Sequence, residues 1–467
     1  MMELKDQFVR EMKRMFGDEY AHFACALEQK TPKSIRFNPN RLKDFAIADS
    51  MFRDAEPVPW AEGAIYVEDD EYLTKHPYYA AGLYYFQEAS AMAPVTYLPL
   101  SEGMKVLDLC AAPGGKSLQI ASKIGETGVL LSNDISVSRQ RATLRNFEKF
   151  GLKNVLVSAE SPEKIAKNYP AYFDAILVDA PCSGEGMFAK DKKTLSAWTE
   201  ESNAFYAEKQ LQILQEIASA LKGGGYLMYS TCTFSDLENE ELIRRFLSSR
   251  EDFSLVKLEG DLLSDSLPSL PGAKRILPHK QKGLGHFLAL LQKAETPQAT
   301  DQAVSSPLCF KAERPRLSKK QAEEREDAIG AFQDFCLALG LEERRVLGAG
   351  YRERLQFFSG KLYCNIGMEV PDASLRLLRN GLLLGDFEKG QFHPSQALAM
   401  CLSPADVKRC FDWDSGHPDL LKYLRGESLS GSESKGYLLI CVDRLPLGWV
   451  YSDGKRLKNK LKRDWLQ

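Results

Sequence analysis

The sequence predicts a multidomain α/β protein whose largest part is a parallel sheet covered by helices on both faces. Three observations carry this expectation. From about His76 onward, apolar strand-like runs alternate with helical stretches. The first of these runs ends in a glycine-rich turn that opens a helix. The chain of 467 residues also exceeds the roughly 100–200 that one ordinary hydrophobic core holds together.

Ahead of the sheet, Leu4, Phe8, Met12 and Met15/Phe16 recur every three to four residues, which predicts an amphipathic helix ended by Gly17. Residues 34–38 read as a short strand, and an acidic stretch to Lys75 completes a small N-terminal α+β module over 1–75. The core, 76–293, has expected strands at 106–110, 129–133, 155–158, 173–178 and 226–231. A helix over 136–150 stops at Gly151. A longer helix over 203–221 aligns Leu211, Leu214, Ile217 and Leu221 and ends at Gly223-Gly224-Gly225. Ser235 and Glu238 have the spacing of a capping box for a helix to about Ser249, and 253–258 and 286–291 read as closing strands. Residues 294–325, rich in Pro, Ser, Gln, Lys and Glu, are expected to be a linker; 326–385 form an intermediate domain and 386–467 a terminal one.

Composition narrows the function classes. No apolar run approaches the ~20 residues of a membrane span, and the charged start of the chain is unlike a secretory signal, so a cytoplasmic protein is expected. Ten cysteines occur without a single CxxC pair, which argues against both a disulfide framework and a zinc site; no metal is expected. A net charge of −3 means that any nucleic-acid surface is local. Basic residues concentrate at 455–463 and at Lys311, Arg314, Arg316, Lys319 and Lys320; each run reads equally well as solvated surface.

The turn after the first core strand is Cys110-Ala111-Ala112-Pro113-Gly114-Gly115-Lys116, and Asp134 ends the next strand 24 residues after Cys110. Glycines there let backbone approach a ligand, and the acid accepts ribose hydroxyls. The turn is not G-x-G-x-x-G, which favours a nucleoside cofactor without a pyrophosphate, such as S-adenosylmethionine. The competing reading is a tight turn selected for packing.

Two cysteines follow strands. Cys182 lies in Asp179-Ala180-Pro181-Cys182-Ser183-Gly184-Glu185-Gly186 and Cys232 in Ser230-Thr231-Cys232-Thr233. Open α/β sheets bind ligands at those strand ends. Carbon 5 of a pyrimidine becomes nucleophilic once a thiolate adds at C6 while an acid group engages N3, and a base must later remove the C5 proton. Two cysteines and a carboxyl supply these groups. Cys110 reads as packing beside the turn, and Cys25, Cys336, Cys364, Cys401, Cys410 and Cys441 as buried small hydrophobes.

The segments 106–116, 179–188 (ending Gly-Glu-Gly-Met-Phe) and 229–234 together resemble the NSUN (Sun-type) RNA cytosine-5 methyltransferases, and 82–90 resembles the stretch that precedes that family's first core strand. Arg275-Ile276-Leu277-Pro278-His279 and the long C-terminal extension are similar to the bacterial RsmF branch, which acts on small-subunit ribosomal RNA. The resemblance implies a Rossmann-like class I S-adenosylmethionine methyltransferase core between a small N-terminal RNA-binding module and an extension ending in a PUA-like β-barrel. It implies that Cys110, Ala111, Ala112, Pro113, Gly114, Gly115, Lys116 and Asp134 bind the cofactor, that Asp179 serves the cofactor or cytosine N3, that Cys232 is the nucleophile and that Cys182 assists elimination. Where many relatives place an Asp after the third strand, this chain has Val157-Ser158-Ala159-Glu160-Ser161; where relatives often carry Lys after Gly-Trp, it has Val450-Tyr451.

Residues 436–443 and 446–450, with a turn at Asp453-Gly454, look like the last strands of that barrel, and Trp449, Tyr451, Lys455, Arg456 and Lys458 are candidates to stack on bases and neutralise phosphates, or else barrel core and solvated tail. The expected partner is ribosomal RNA or the small subunit, bound by a monomer. A transfer RNA substrate is the nearest alternative, a non-catalytic assembly factor the alternative of another class, and a DNA methyltransferase the remotest.

Overall fold

The computed structural model describes residues 4–42, 51–68, 70–295, 318–366, 374–431 and 433–466. Lys311, Arg314, Arg316 and Cys309 lie outside them. Two N-terminal helices, α1 (Asp6–Phe16) and α2 (Tyr20–Glu28), bury Phe8, Met12, Phe23 and Leu27, the positions set by the helical period. Cys25 falls on the opposite face and is exposed, contrary to its reading as a buried hydrophobe. Strands β1 (Lys33–Phe37), β2 (Ala64–Val67) and β3 (Tyr84–Phe86) form one antiparallel sheet in the order β2-β1-β3. Because β3 pairs with β1, the N-terminal sheet reaches past Lys75 into the stretch assigned from sequence to the core.

The core strands are β4 (Lys105–Asp108), β5 (Val129–Asn133), β6 (Val155–Ser158), β7 (Phe173–Asp179) and β8 (Leu221–Thr231), parallel in the order β8-β7-β4-β5-β6. Alternate residues face opposite sides. Leu107, Leu131, Leu156, Ile176, Val178 and Leu227 pack under α5 (Pro162–Asn168), α6 (Glu200–Ile217) and α7 (Glu240–Ser249), while Val106, Leu130, Val155, Leu177 and Met228 pack under α3 (Gly115–Ile124) and α4 (Val137–Lys149). The strand order reverses between β4 and β7, so a crevice opens there at the strands' carboxyl ends.

Strand β8 starts five residues before its expected position and contains the three glycines. A Cβ on Gly225 would sit 2.8 Å from Leu221 Cδ1 and 2.9 Å from Asp174 O, so glycine lets β8 lie against β7 where their register shifts. Nor do Ser235 and Glu238 form a capping box: α7 starts at Glu240 after Asn239, and the Glu238 carboxylate turns inward instead.

Antiparallel strands β9 (Phe253–Val256), β10 (Ser264–Asp265), β11 (Lys274–Ile276) and β12 (His286–Lys293) extend the β8 edge. Helix α8 (Lys319–Leu339), capped by Ser318, begins inside the stretch read as linker. After it, β13 (Leu355–Phe358), β14 (Lys361–Cys364), β16 (Leu382–Glu388) and β17 (Gln391–Pro394) form a sheet that spans the boundary placed at 385/386. Strand β15 (Leu377–Asn380) leaves it and pairs antiparallel with β6, becoming an edge of the core sheet. The Arg379 guanidinium meets the Glu148 carboxylate beside this junction, and both are largely buried. Arg379→Ala strands that carboxylate and is expected to cost about 3 kcal/mol. Unfolding midpoints of the full chain, with amide exchange along β6, measure it; unchanged exchange would refute the ion pair's role in docking the two parts.

Helix α9 (Gln396–Met400) leads to the last sheet: β18 (Cys410–Trp413), then helix α10 (Pro418–Leu424), β19 (Leu429–Ser430), β20 (Gly436–Val442), β21 (Leu445–Ser452) and β22 (Arg456–Asn459), ordered β18-β20-β21-β22-β19. The expected PUA-like barrel is present as this curled five-stranded sheet, a half-barrel. Trp449 is 1% exposed and donates its indole N–H to Ser395 O at 2.9 Å, so it packs the core under α8 and offers no face to RNA. Tyr451 is partly exposed, and Lys455, Arg456 and Lys458 are exposed. No helix among the described residues is long and apolar enough to cross a membrane.

Candidate active site

The turn after β4 lies at the switch point. Gly114 (φ 100°) caps α3, and a Cβ there would come within 2.8 Å of Thr143 Cγ2; one on Gly115 would come within 2.9 Å of Tyr85 Cε1. Both glycines are therefore required by the turn's packing against α4 and β3, whatever ligand the backbone meets. Below the turn Asp108 is fully buried and accepts from Ser117 Oγ at 2.6 Å; burial pushes its carboxyl up to about 7. Burial also raises the Cys110 thiol, in keeping with a packing role.

Asp134, at the end of β5, accepts from the Ser136 N–H at 2.9 Å and pairs with Arg139 at 3.2 Å. Arg139 also donates to Ala112 O at 2.8 Å, so one half-exposed guanidinium spans the carboxylate and the turn. The Asn133 amide ties this strand end to β6, donating to Glu160 O at 3.0 Å and accepting from Glu160 N at 3.0 Å. Ile135, next to Asp134, is 72% exposed, an apolar side chain left uncovered at the crevice. Glu160 is engaged by Lys164 at 2.9 Å and by the Arg376 N–H ahead of β15.

Asp179 closes β7. Its Oδ2 takes Lys116 Nζ at 2.8 Å; its Oδ1 takes Ser230 Oγ at 2.8 Å and His286 Nε2 at 3.3 Å. Burial opposes its charge, but the Lys116 ammonium and His286 outweigh that and hold the carboxyl below the usual carboxylate range. Three elements thus keep one carboxylate ionised.

Cys182 and Cys232 meet just beyond, Sγ to Sγ 3.3 Å. Their loops are clamped together: Ser183 Oγ lies 2.8 Å from Thr233 Oγ1, and Gly186 N–H donates to Cys232 O at 2.8 Å. A Cβ on Gly186 would come within 2.7 Å of that oxygen, so only glycine permits the contact. Glu185 is buried and accepts from Trp198 Nε1 (3.0 Å), Asn203 Nδ2 (2.8 Å) and Phe234 N (2.9 Å). Behind these loops the N-terminal helices supply rings: Phe8 sits 5.2 Å from Phe188, and Phe23 5.0 Å from Phe234. The Cys182 thiol is raised, first by its hydrogen bond with Cys232 and then by burial.

Glu238, expected as a cap, instead lies under the Cys182 loop and accepts from Ser183 N at 3.0 Å and Gln210 Nε2 at 2.8 Å. Burial pushes it up to about 7. A carboxyl raised in the folded state keeps a proton that the unfolded chain has already released, so between about pH 4.5 and 7 stability falls as pH rises. The bound is about 1.4 kcal/mol per pH unit for each such group. Glu238→Gln is expected to flatten this dependence relative to the parent, measured as urea midpoints at pH 5, 6 and 7; parallel curves for the two proteins would refute it.

The structure brings the sequence-selected residues Cys110–Lys116, Asp134, Asp179, Cys182 and Cys232 to one end of the sheet. Sequence reasoning missed Ser230, His286, Glu238 and Glu185, whose roles come from neighbours distant in the chain. Glu185 and Ser230 lay inside motifs already singled out; nothing local marks His286.

Comparison with known proteins gives four matches along the chain. Residues 95–292 match the model of the 16S rRNA methyltransferase RsmB/F family, 4–89 that of the N-terminal domain of 16S rRNA methyltransferase RsmF, 341–402 that of the RsmF rRNA methyltransferase first C-terminal domain, and 411–467 that of the methyltransferase RsmF PUA domain. The chain is 28% identical over 474 residues to ribosomal RNA small subunit methyltransferase F of Erwinia tasmaniensis, covering 98% of this chain and 95% of that one. It is 29% identical over 485 residues to the protein of the same name from Vibrio cholerae, covering 99% and 98%. Among solved structures, a methyltransferase homolog protein from Pyrococcus horikoshii superposes with a TM-score of 0.56 at 28% identity, over 62% of this chain and 96% of that chain. NSun6 from Pyrococcus horikoshii, solved with SFG, shares the fold at 20% identity and a TM-score of 0.56, over 63% and 100%.

Proposed function

This chain belongs to the RsmF branch of the NSUN-type RNA cytosine-5 methyltransferases, and from that premise we propose that it methylates carbon 5 of a cytosine in small-subunit (16S) ribosomal RNA. The observation that carries the reading is the contact of Cys182 and Cys232, 3.3 Å apart, beside an ionised Asp179. S-adenosylmethionine, when bound, supplies an electrophilic methyl group. The crevice fits it: Asp134 offers a carboxylate for ribose hydroxyls once Arg139 swings aside, uncovered Ile135 offers an apolar face for a base, and the 110–116 turn with Lys116 lines the floor.

Cys232 adds through its sulfur to C6, and the electrons it contributes make N3 basic. Lys116, 2.8 Å from the Asp179 carboxylate, gives N3 a proton, and the carboxylate accepts the resulting N3–H. With its sulfur bonded to carbon, Cys232 no longer hydrogen-bonds Cys182. Cys182, freed of that contact and partly exposed, gives its proton to solvent and takes the C5 proton; the C5–H electrons form the C5=C6 bond, the Cys232–C6 bond breaks, and the N3 proton returns to Lys116. The chemistry asks for no metal; the reading is of a cytoplasmic, monomeric enzyme whose terminal modules hold ribosomal RNA.

Methyl transfer from labelled S-adenosylmethionine to small-subunit ribosomal RNA, the intact subunit and transfer RNA, followed by nucleoside analysis, tests it. C5-methylcytosine is expected in the ribosomal substrates alone. Label in transfer RNA would replace the substrate, and cofactor binding without label anywhere would leave an RNA-binding assembly factor.

A further inference from the structure

The two sulfurs at the strand ends are close enough to react with each other. We propose that Cys182 and Cys232 form a reversible disulfide when the protein meets hydrogen peroxide, so that one oxidation removes both active-site thiols. The loss of activity rests on the function proposed above; the cross-link itself does not.

The geometry is favourable before any oxidation. The cysteines follow adjacent parallel strands that pair Asp179 with Ser230, and their sulfurs already lie 3.3 Å apart. Closing to an S–S bond of about 2.05 Å asks for little more than 1 Å of movement. The Ser183–Thr233 hydroxyl contact and the Gly186 N–H on Cys232 O keep the loops from parting. Both cysteines are partly exposed, so a small oxidant reaches them. A second pair, Cys410 and Cys441, is 3.8 Å apart, but Cys441 is fully buried within the terminal sheet. Access to solvent therefore separates the two pairs.

The steps balance. The Cys232 thiolate attacks one peroxide oxygen; an S–O bond forms, the O–O bond breaks and hydroxide leaves, giving a sulfenic acid. The Cys182 sulfur then attacks the Cys232 sulfur; the S–S bond forms, the S–O bond breaks, and the leaving hydroxyl departs as water with the Cys182 proton. Two thiols and one peroxide yield a disulfide and two waters, and a dithiol reductant reverses the result. Cross-linking also halts Cys232 short of irreversible sulfinic acid.

The full-length protein is treated with limiting hydrogen peroxide, and its intact mass, its peptide map and its methyl transfer are followed together. The expected product is lighter by two hydrogens, joins the peptides of Cys182 and Cys232, and loses activity in proportion to the cross-linked fraction; dithiothreitol restores both. Cys410→Ser is expected to leave the cross-link intact. Cys182→Ala is expected to gain oxygen at Cys232 that dithiothreitol removes only in part. Oxygen addition at Cys232 without a cross-link in the parent protein would overturn the proposal. A Cys182–Cys232 cross-link with undiminished methyl transfer would uphold the disulfide and overturn both the switch and the role given to Cys232.

Discussion

Cys232→Ala is expected to lower methyl transfer on the order of 10⁴-fold or more and to abolish any covalent RNA adduct, whereas Cys182→Ala accumulates an adduct that does not resolve. The size follows from removing a nucleophile that acts as part of a unit, because the remaining groups have no reaction left to assist. The asymmetry follows from the protons. In the proposed mechanism Cys182 acts only once Cys232 is tied up in the adduct, as the group that takes the C5 proton. Its loss therefore spares addition and methyl transfer and blocks elimination. Denaturing gels with labelled RNA, run beside the transfer assay, separate the steps. A trapped adduct in Cys232→Ala and none in Cys182→Ala would reverse the two roles.

Asp179→Asn is expected to lower methyl transfer about 10²–10⁴-fold. The amide keeps the shape but loses the charge that Lys116, Ser230 and His286 gather around at 2.8, 2.8 and 3.3 Å. The amide oxygen is a weaker acceptor for the N3–H than a carboxylate, and Lys116, itself held protonated against its burial by Asp179, becomes an unpaired buried ammonium. The decisive measurement is the double variant Cys182→Ala/Asp179→Asn: it is expected to form no adduct, because the step assisted by Asp179 precedes the one that traps. Full adduct in the double variant would restrict Asp179 to the cofactor. For Asp179 itself, the depressed folded pKa means that its ion pairs stabilise the fold above the ordinary carboxylate pKa; this contribution is lost as pH falls through the depressed value.

The reach of sequence reasoning differed between elements for identifiable reasons. The cores of β4 to β7 and the helix after Gly114 were legible because apolar period and turn glycines act within a few residues. The three glycines of 223–225 misled because glycine ends helices as readily as it allows a strand to bend; contact with Leu221 and Asp174, not conformation alone, explains Gly225. Ser235 and Glu238 carried a valid local signal, yet Glu238 bonds to Ser183 and Gln210 instead, since an acceptor was needed beneath the Cys182 loop. Trp449 reads from sequence either as a stacking platform or as barrel core, and packing under α8 makes it core.

By itself, then, the sequence determined the α/β core, the glycine-rich turn after β4 and the order in which Asp179, Cys182 and Cys232 leave their strands, because each is written in contiguous residues. Only the tertiary structure decided that His286 faces Asp179, that Phe8 and Phe23 back the cysteine loops, and that β15 joins the core sheet beside Glu160. Those outcomes depend on which strand edges and buried polar groups, far apart in the chain, satisfy one another when the parts pack, and no local preference specifies such partners.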